Sequence, residues 1–325
     1  MSEPLLRTEG LTRHFRVGGL LSRQSLHAVD DVSFEIGRGE IVALVGESGS
    51  GKSTIARLLA RVYKPSQGEI YFEGRPVSGL STRGAKLAYS SDVAMVFQDP
   101  YSSMNPVYRI THPIGRSIAL HRRDVARGKR EYEVEKALGE VGLMPPGRVA
   151  GKFPHELSGG QRQRVGFAAA LAVRPKLIVA DEPVSMLDVS IRIGVLNLMS
   201  ELREREGLSF LYITHDVASA RYIADRVLVL YAGHLVEEGP TEEVIRRPKH
   251  PYTQLLLSAV PDPRAPLGLS DAADVGEPPK VIDPGEGCRF RDRCPLAIAM
   301  CETVTPELRQ IGSRRRVACH VAEPD

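Results

Sequence analysis

Gly46-Glu-Ser-Gly-Ser-Gly-Lys52-Ser53 is the stretch on which the fold turns. It fits the pattern G-x-x-x-x-G-K-[ST] in full, and its surroundings fit too. Before it, "FEIGRGEIVALVG" reads as an alternating strand, a tight glycine turn and a near-continuous apolar strand ending at Val45. After it, "KSTIARLLARVY" has helical spacing, which predicts a face made of Ile55, Leu58, Leu59 and Val62. Glycines let backbone N–H groups curl round a phosphate, and the helix N-terminus adds positive potential there. Lys52 would contact the β- and γ-phosphates of a nucleoside triphosphate and Ser53 would ligate Mg²⁺. Gly46, Ser48, Gly49, Ser50, Gly51 and Thr54 would complete the cradle.

A second stretch supplies the acids such a site needs. Leu177-Ile-Val-Ala-Asp181-Glu182 reads as a buried strand ending in two carboxylates. Asp181 would hold Mg²⁺ and Glu182 would polarise the attacking water. Many strands end in Asp, so the pattern gains its meaning from the phosphate loop. Residues 1–100 read as strand-rich with one clear helix. Residues 101–160 become helical and more polar, and their basic run at 122–130 reads as a solvated helix face. Residues 161–260 alternate again, with strands predicted at 177–180, Ser209–Thr214, 227–231 and 234–237 and helices at 191–205 and 218–224. Strand–helix alternation predicts an α/β fold with a largely parallel, helix-covered sheet.

Composition narrows the class. The 325 residues are 42% apolar and 26% charged, with a net charge of +3. That mixture is ordinary for a globular chain and calls for no nucleic acid. The opening MSEPLLRTEG lacks a basic-then-apolar signal, and no apolar run approaches the roughly 18 residues of a membrane span. The expectation is a cytosolic protein that serves any membrane process by docking to a separate chain. After Pro261, "PDPRAPLGLSDAADVGEPPK" reads as a linker. All four cysteines follow it, and in a cytosolic chain such clustering favours metal ligation over disulfides.

Between the loop and the acids lies Leu157-Ser158-Gly159-Gly160-Gln161, which resembles the signature motif of ABC ATPases. The other motifs of that family follow in order: Gln98 in "MVFQDP", Asp188 in "SMLD" and His215 in "YITHD". The family form is more often Ser-Ala-Leu-Asp, so Met186 is a small departure. Phe15 in "RHFRV" is the candidate for the aromatic that stacks on adenine, although the extension "VGGLLSRQSLHAVD" behind it departs from the usual spacing. The resemblance covers about residues 5–260. It implies a P-loop ABC ATPase cassette with a RecA-like core, an antiparallel β subdomain and a helical subdomain. It further implies two cassettes head to tail, each ATP lying between the phosphate loop of one and Ser158, Gly159, Gly160 and Gln161 of the other. Glu182 would be the general base and His215 would contact the γ-phosphate. Gln98 would touch Mg²⁺ and the water, and Asp188 would communicate across the dimer.

"QDPYSSMNP", "DEPVSMLDVSI" and "HPYTQLLLSAVPDP" look like the oligopeptide/dipeptide importer ATPases, more particularly the second of their two ATPase subunits. The implied partners are a second, homologous ATPase chain, two transmembrane permease subunits and, indirectly, an extracytoplasmic substrate-binding protein. The implied place is the cytoplasmic face of the membrane. The tail "GCRFRDRCPLAIAMC…VACH" is similar to the C-terminal module of that family, which can hold an iron–sulfur cluster. Cys288, Cys294, Cys301 and Cys319 supply four thiolates, enough for [4Fe–4S], with Zn²⁺ as the rival. The arginines at 289, 291, 293 and 314–316 read equally well as counter-charge to such a site or as solvated surface. The domains expected are 1–260 for the cassette, with its helical part at about 101–160, a linker at 261–285 and the cysteine module at 286–325. Oligosaccharide or nickel-complex import is the alternative within the family. A soluble ABC ATPase of nucleic-acid maintenance is disfavoured because no sustained heptad splits the cassette. A scaffold that binds ATP without hydrolysis is disfavoured by Lys52, Asp181, Glu182 and His215 all being present.

Overall fold

A computed structural model describes residues 3–18, 24–99, 104–258 and 281–323. The chain divides into two compact units, one made of residues 1–35, 41–75 and 214–325, the other of residues 36–40 and 76–213.

The first unit holds two sheets. One is antiparallel: Leu6–Arg16 lies between Ser25–Val32 and Gln67–Phe72. The other runs in the order Arg309–Gln310, Arg316–Val317, His234–Pro240, Arg226–Tyr231 and Ile41–Val45. Only its last pair is parallel, with Arg226 opposite Val42 and Val229 opposite Val45. All five residues of Ile41–Val45 are buried, as expected of a strand covered on both faces. The helix Lys52–Leu59 follows and buries Ile55, Ala56, Leu58 and Leu59. Val62, expected on the same face, is 60% exposed. The helix stops at Leu59, and Arg61 turns left-handed (φ 56°) so that the N–H groups of Val62 and Tyr63 both return to the carbonyl of Arg57. That tight closure points Val62 away from the helix stripe.

The second unit is built on three parallel strands, Val93–Val96, Leu177–Asp181 and Ser209–Thr214, with Leu177–Asp181 in the middle. Leu177–Asp181 is buried throughout. The helices Thr111–His121, Arg130–Glu140, Pro146–Ala150, Gly159–Leu171 and Val189–Glu206 belong to this unit.

Two sequence readings are corrected. Residues 1–100 hold a second helix, Arg83–Asp92, opened by Thr82, whose hydroxyl accepts from the Ala85 N–H. It buries only Tyr89, so no apolar stripe announces it. The basic run at 122–130 is not a helix face. Thr111–His121 ends before it, residues 127–129 form a single 3₁₀ turn, and Arg122 is buried. Its guanidinium pairs with Asp124 at 2.8 Å and with Glu133 at 3.3 Å. The segment read as a linker lies largely at 259–280, outside the described residues. Among the described residues no helix is long and apolar enough to cross a membrane.

Candidate functional site

The phosphate loop lies in the first unit. Its path is one that only glycine follows. Gly46 (φ 156°) and Gly51 (φ 109°) adopt left-handed backbone, and a Cβ at either would stand 2.2 Å from a carbonyl oxygen, that of Leu230 or of Ala28. Gly51 is the N-cap of the helix Lys52–Leu59, so the loop runs directly into the N-terminal, positive end of that helix. Lys52 is curled back: its Nζ donates to the carbonyls of Gly46 (2.7 Å) and Glu47 (2.8 Å). The Ser50 Oγ is buried with no hydrogen-bond partner. The Ser50 hydroxyl leaves polar capacity at the place where a polyphosphate would sit.

Around the loop the first unit supplies further contacts. The Glu47 N–H donates to the Tyr252 hydroxyl at 2.8 Å, and Gly233 N–H donates to the Ser50 carbonyl at 2.9 Å. Phe15 is half-buried, edge-on to Tyr63 at 5.3 Å, with the Arg13 guanidinium 4.6 Å from its ring centre. His215 is exposed in the turn after Ser209–Thr214, just ahead of the Asp216 carboxylate that caps Val217–Ile223.

The acids and the signature lie in the second unit. Asp181 ends its buried strand at 5% exposure. Glu182 follows in left-handed backbone (φ 46°), a conformation that costs a non-glycine residue about 1 kcal/mol or more and is typical of functional turns. Its N–H is tied to the Ile213 carbonyl at 2.9 Å. The Gln98 amide donates to Glu182 Oε2 at 2.9 Å, bringing together two residues 84 positions apart. Ser158 caps Gly159–Leu171 reciprocally with Gln161, the hydroxyl accepting from Gln161 N–H and Gln161 Oε1 accepting from Ser158 N–H. Ser158 itself is exposed, so this helix start faces outward. Gly160 is buried, and a Cβ there would meet Ile191 at 2.4 Å. Asp188 is the N-cap of Val189–Glu206, yet its carboxylate makes no cap hydrogen bond and is exposed.

The cysteine module gives an answer the sequence reading did not hold. Most of the arginines set beside the cysteines are bound to carboxylates. Arg289 donates to Asp30, Arg293 to Glu47, Arg315 to Glu237 and Arg316 to Glu238. Only Arg291 and Arg314 point outward, Arg291 beside Asp292. Asp30 is a hub: His14 lies 3.1 Å, His27 2.9 Å and His234 3.9 Å from its oxygens, and the rings of His14 and His27 stack at 3.6 Å. These donors together with Arg289 hold the Asp30 carboxyl far below the ordinary range, against the opposing effect of burial. Cys301 and Cys319 are buried, while Cys288 and Cys294 are part-exposed. Burial and the neighbouring cysteines push the Cys288 and Cys294 thiols up.

The glycine loop and its helix in the first unit, and the two acids at the end of a buried strand in the second, are each the motifs of a P-loop nucleoside triphosphatase. The comparisons with known proteins place it further. Residues 29–185 match the family described as "ABC transporter", and residues 236–301 match "Oligopeptide/dipeptide transporter, C-terminal region". The oligopeptide transport ATP-binding protein AppF of Bacillus subtilis is 43% identical over 98% of each chain. A probable peptide ABC transporter ATP-binding protein of Sinorhizobium fredii is 41% identical over 100% of this chain and 92% of its own. Among solved structures, cbiO1 of Clostridium perfringens superposes with a TM-score of 0.65 at 26% identity, over 76% of this chain and 92% of that one. A dimer of the cassette MJ0796 with ADP and Pi superposes with 0.64 at 28% identity, over 73% and 98%. The chain therefore belongs to the ABC transporter ATPases, among the ATP-binding proteins of the oligopeptide/dipeptide group.

Proposed function

We propose that this ATPase powers the import of oligopeptides or dipeptides through a membrane ABC transporter, as its second type of ATPase subunit. Similarity along the whole chain, cassette and C-terminal region alike, to an oligopeptide transport protein carries the reading. The partners are a different, homologous ATPase chain, two permease subunits that anchor the complex at the cytoplasmic face, and an extracytoplasmic binding protein. Each ATP lies between the phosphate loop of one cassette and the signature of the other. Lys52 exchanges the Gly46 and Glu47 carbonyls for the β- and γ-phosphates. Gly46, Ser48, Gly49, Ser50, Gly51 and Thr54 line the phosphates, Phe15 stacks on adenine, and Ser53, Asp181 and Gln98 hold Mg²⁺. The outward helix start at Ser158, Gly160 and Gln161 receives the partner's γ-phosphate. Glu182 takes the proton of the attacking water, kept in place by Gln98, while His215 contacts the γ-phosphate and Asp188 reports to the partner.

The test is reconstitution with permease and binding protein in vesicles, with ATP turnover and peptide uptake measured together. Glu182→Gln should bind ATP, trap a closed dimer and lose about 10²-fold or more of turnover. Wild-type turnover in that variant would remove Glu182 from its role. ATP turnover driven by an oligosaccharide or a nickel complex, and not by peptides, would move the chain to another branch.

We read the four cysteines of the module as metal ligands, for a [4Fe–4S] cluster with Zn²⁺ as the rival, because all four lie within one short segment of the chain. Cys288, Cys294, Cys301 and Cys319 would be the ligands, and the cluster would supply a covalent staple to this small region. Protein purified without air should be brown and carry iron, and Cys288→Ser with Cys294→Ser should lose the visible absorbance. Colourless protein containing zinc would replace the cluster by a zinc staple.

A further inference from the structure

We propose that Arg293, in the cysteine module, is a positioning residue for the phosphate loop and acts on it through Glu47. The proposal rests on the reading of residues 46–53 as the nucleotide loop. Arg293 and Glu47 meet fork to fork, Nη1 to Oε2 at 2.8 Å and Nη2 to Oε1 at 2.9 Å. An exposed pair would be worth little. This one is not exposed: the Arg293 side chain is 11% and the Glu47 side chain 26% accessible. The guanidinium also donates to the Tyr231 hydroxyl at 3.3 Å, with the rings of Tyr231 and Phe290 5.6 and 5.8 Å away. Glu47 is thereby held twice, its side chain by Arg293 and its N–H by Tyr252. Its carbonyl is one of the two that Lys52 grips.

The fork is aimed by the cysteine turn. Arg293 closes the 3₁₀ turn Arg291–Arg293, in which Arg291 N–H returns to the Cys288 carbonyl and Cys294 N–H to the Arg291 carbonyl, both at 3.2 Å. Folding of the cysteine region therefore sets where the loop's second residue stands. A loop pre-set in its phosphate-binding path binds ATP without first losing conformational freedom. The cysteine module is in this way wired to ATP affinity.

The experiment uses the full chain, Mg²⁺ and a fluorescent N-methylanthraniloyl ATP, with variants Arg293→Gln, Glu47→Gln, the double variant and Arg293→Lys. Each single glutamine variant should weaken ATP binding about tenfold, and the double variant no further than either single, because both remove one contact. Arg293→Lys should recover part of the loss, since a point charge cannot make the fork. Melting temperatures should stay close to wild type, and in the reconstituted transporter KM for ATP should rise more than kcat falls. Wild-type affinity in Arg293→Gln, or losses that add in the double variant, would overturn the proposal. If Arg293→Gln fails to fold, Glu47→Gln breaks the same contact from the loop side and decides alone. Lys52→Ala separates the two layers: nucleotide binding that survives it rejects the phosphate-loop reading itself, and Arg293's role with it.

Discussion

Gly51 shows how little freedom the nucleotide loop allows a single residue. Its φ of 109° and the Ala28 oxygen 2.2 Å from a would-be Cβ mean that even alanine cannot be placed without moving the strand Ser25–Val32. Gly51→Ala should cost about 1–3 kcal/mol of stability and abolish detectable ATP binding; denaturant melts and ATP titration of the same protein check both parts. The loop was legible because everything it needs lies within eight consecutive residues. Glu182 was legible as one of two acids ending an apolar strand, Gln98 only through the order of family motifs, and their hydrogen bond belongs to the fold. The partners of Arg289 and Arg293 were not legible. They lie 259 and 246 positions away, and nothing local to "CRFRDRC" distinguishes an arginine bound for Asp30 or Glu47 from one bound for water.

Among the elements, apolar periodicity exposed the buried ones and missed the rest. Ile41–Val45 and Leu177–Asp181 announce themselves because they are buried throughout. Arg83–Asp92 and the two-residue strand Arg316–Val317 carry no such pattern, since one buries a single side chain and the other is too short to have a period. Yet Arg316–Val317 matters. It adds to the edge of His234–Pro240 with Val317 opposite Glu237, and beside it Arg315 reaches the buried Glu237 carboxylate at 2.6 Å. Both side chains are almost wholly excluded from water, at 1% and 0%. Glu237 also accepts from the N–H groups of Lys249 and His250. Removing one partner strands a charge, so Arg315→Ala should destabilise the protein by about 3–5 kcal/mol. Arg315→Met with Glu237→Gln should recover much of that. Urea midpoints of the three proteins decide it; a loss under about 1 kcal/mol for Arg315→Ala would show that the pair is solvated in solution.

For the whole molecule the same region sets the response to acid. Burial pushes the His250 imidazole down to about 3, and its Nδ1 accepts from the Tyr252 N–H at 3.0 Å, which a protonated ring cannot do. Unfolding frees it to titrate near its ordinary value of 6.5. Between about 3 and 6.5 the unfolded chain takes up a proton that the folded chain refuses. Stability is therefore complete above that window and falls as pH is lowered into it, by up to about 1.4 kcal/mol per unit for this one proton. His234, also pushed down by burial, acts in the same sense, whereas Asp30 loses its contribution only in stronger acid, below its ordinary value. His250→Gln keeps an acceptor for Tyr252 and should flatten the fall in denaturation midpoint between pH 7 and pH 5. An unchanged slope would assign the acid response to other groups.

The Arg315–Glu237 pair has a consequence in time. The two residues are 78 positions apart, and the ribosome makes Glu237 first. At about 5–20 residues per second, the nascent chain carries that carboxylate without its guanidinium for roughly 4–16 s. During that interval the strand His234–Pro240 offers a bare edge and an unneutralised charge, and the cassette emerging at that stage is an unfinished product that a chaperone or a protease can still tell from the mature one.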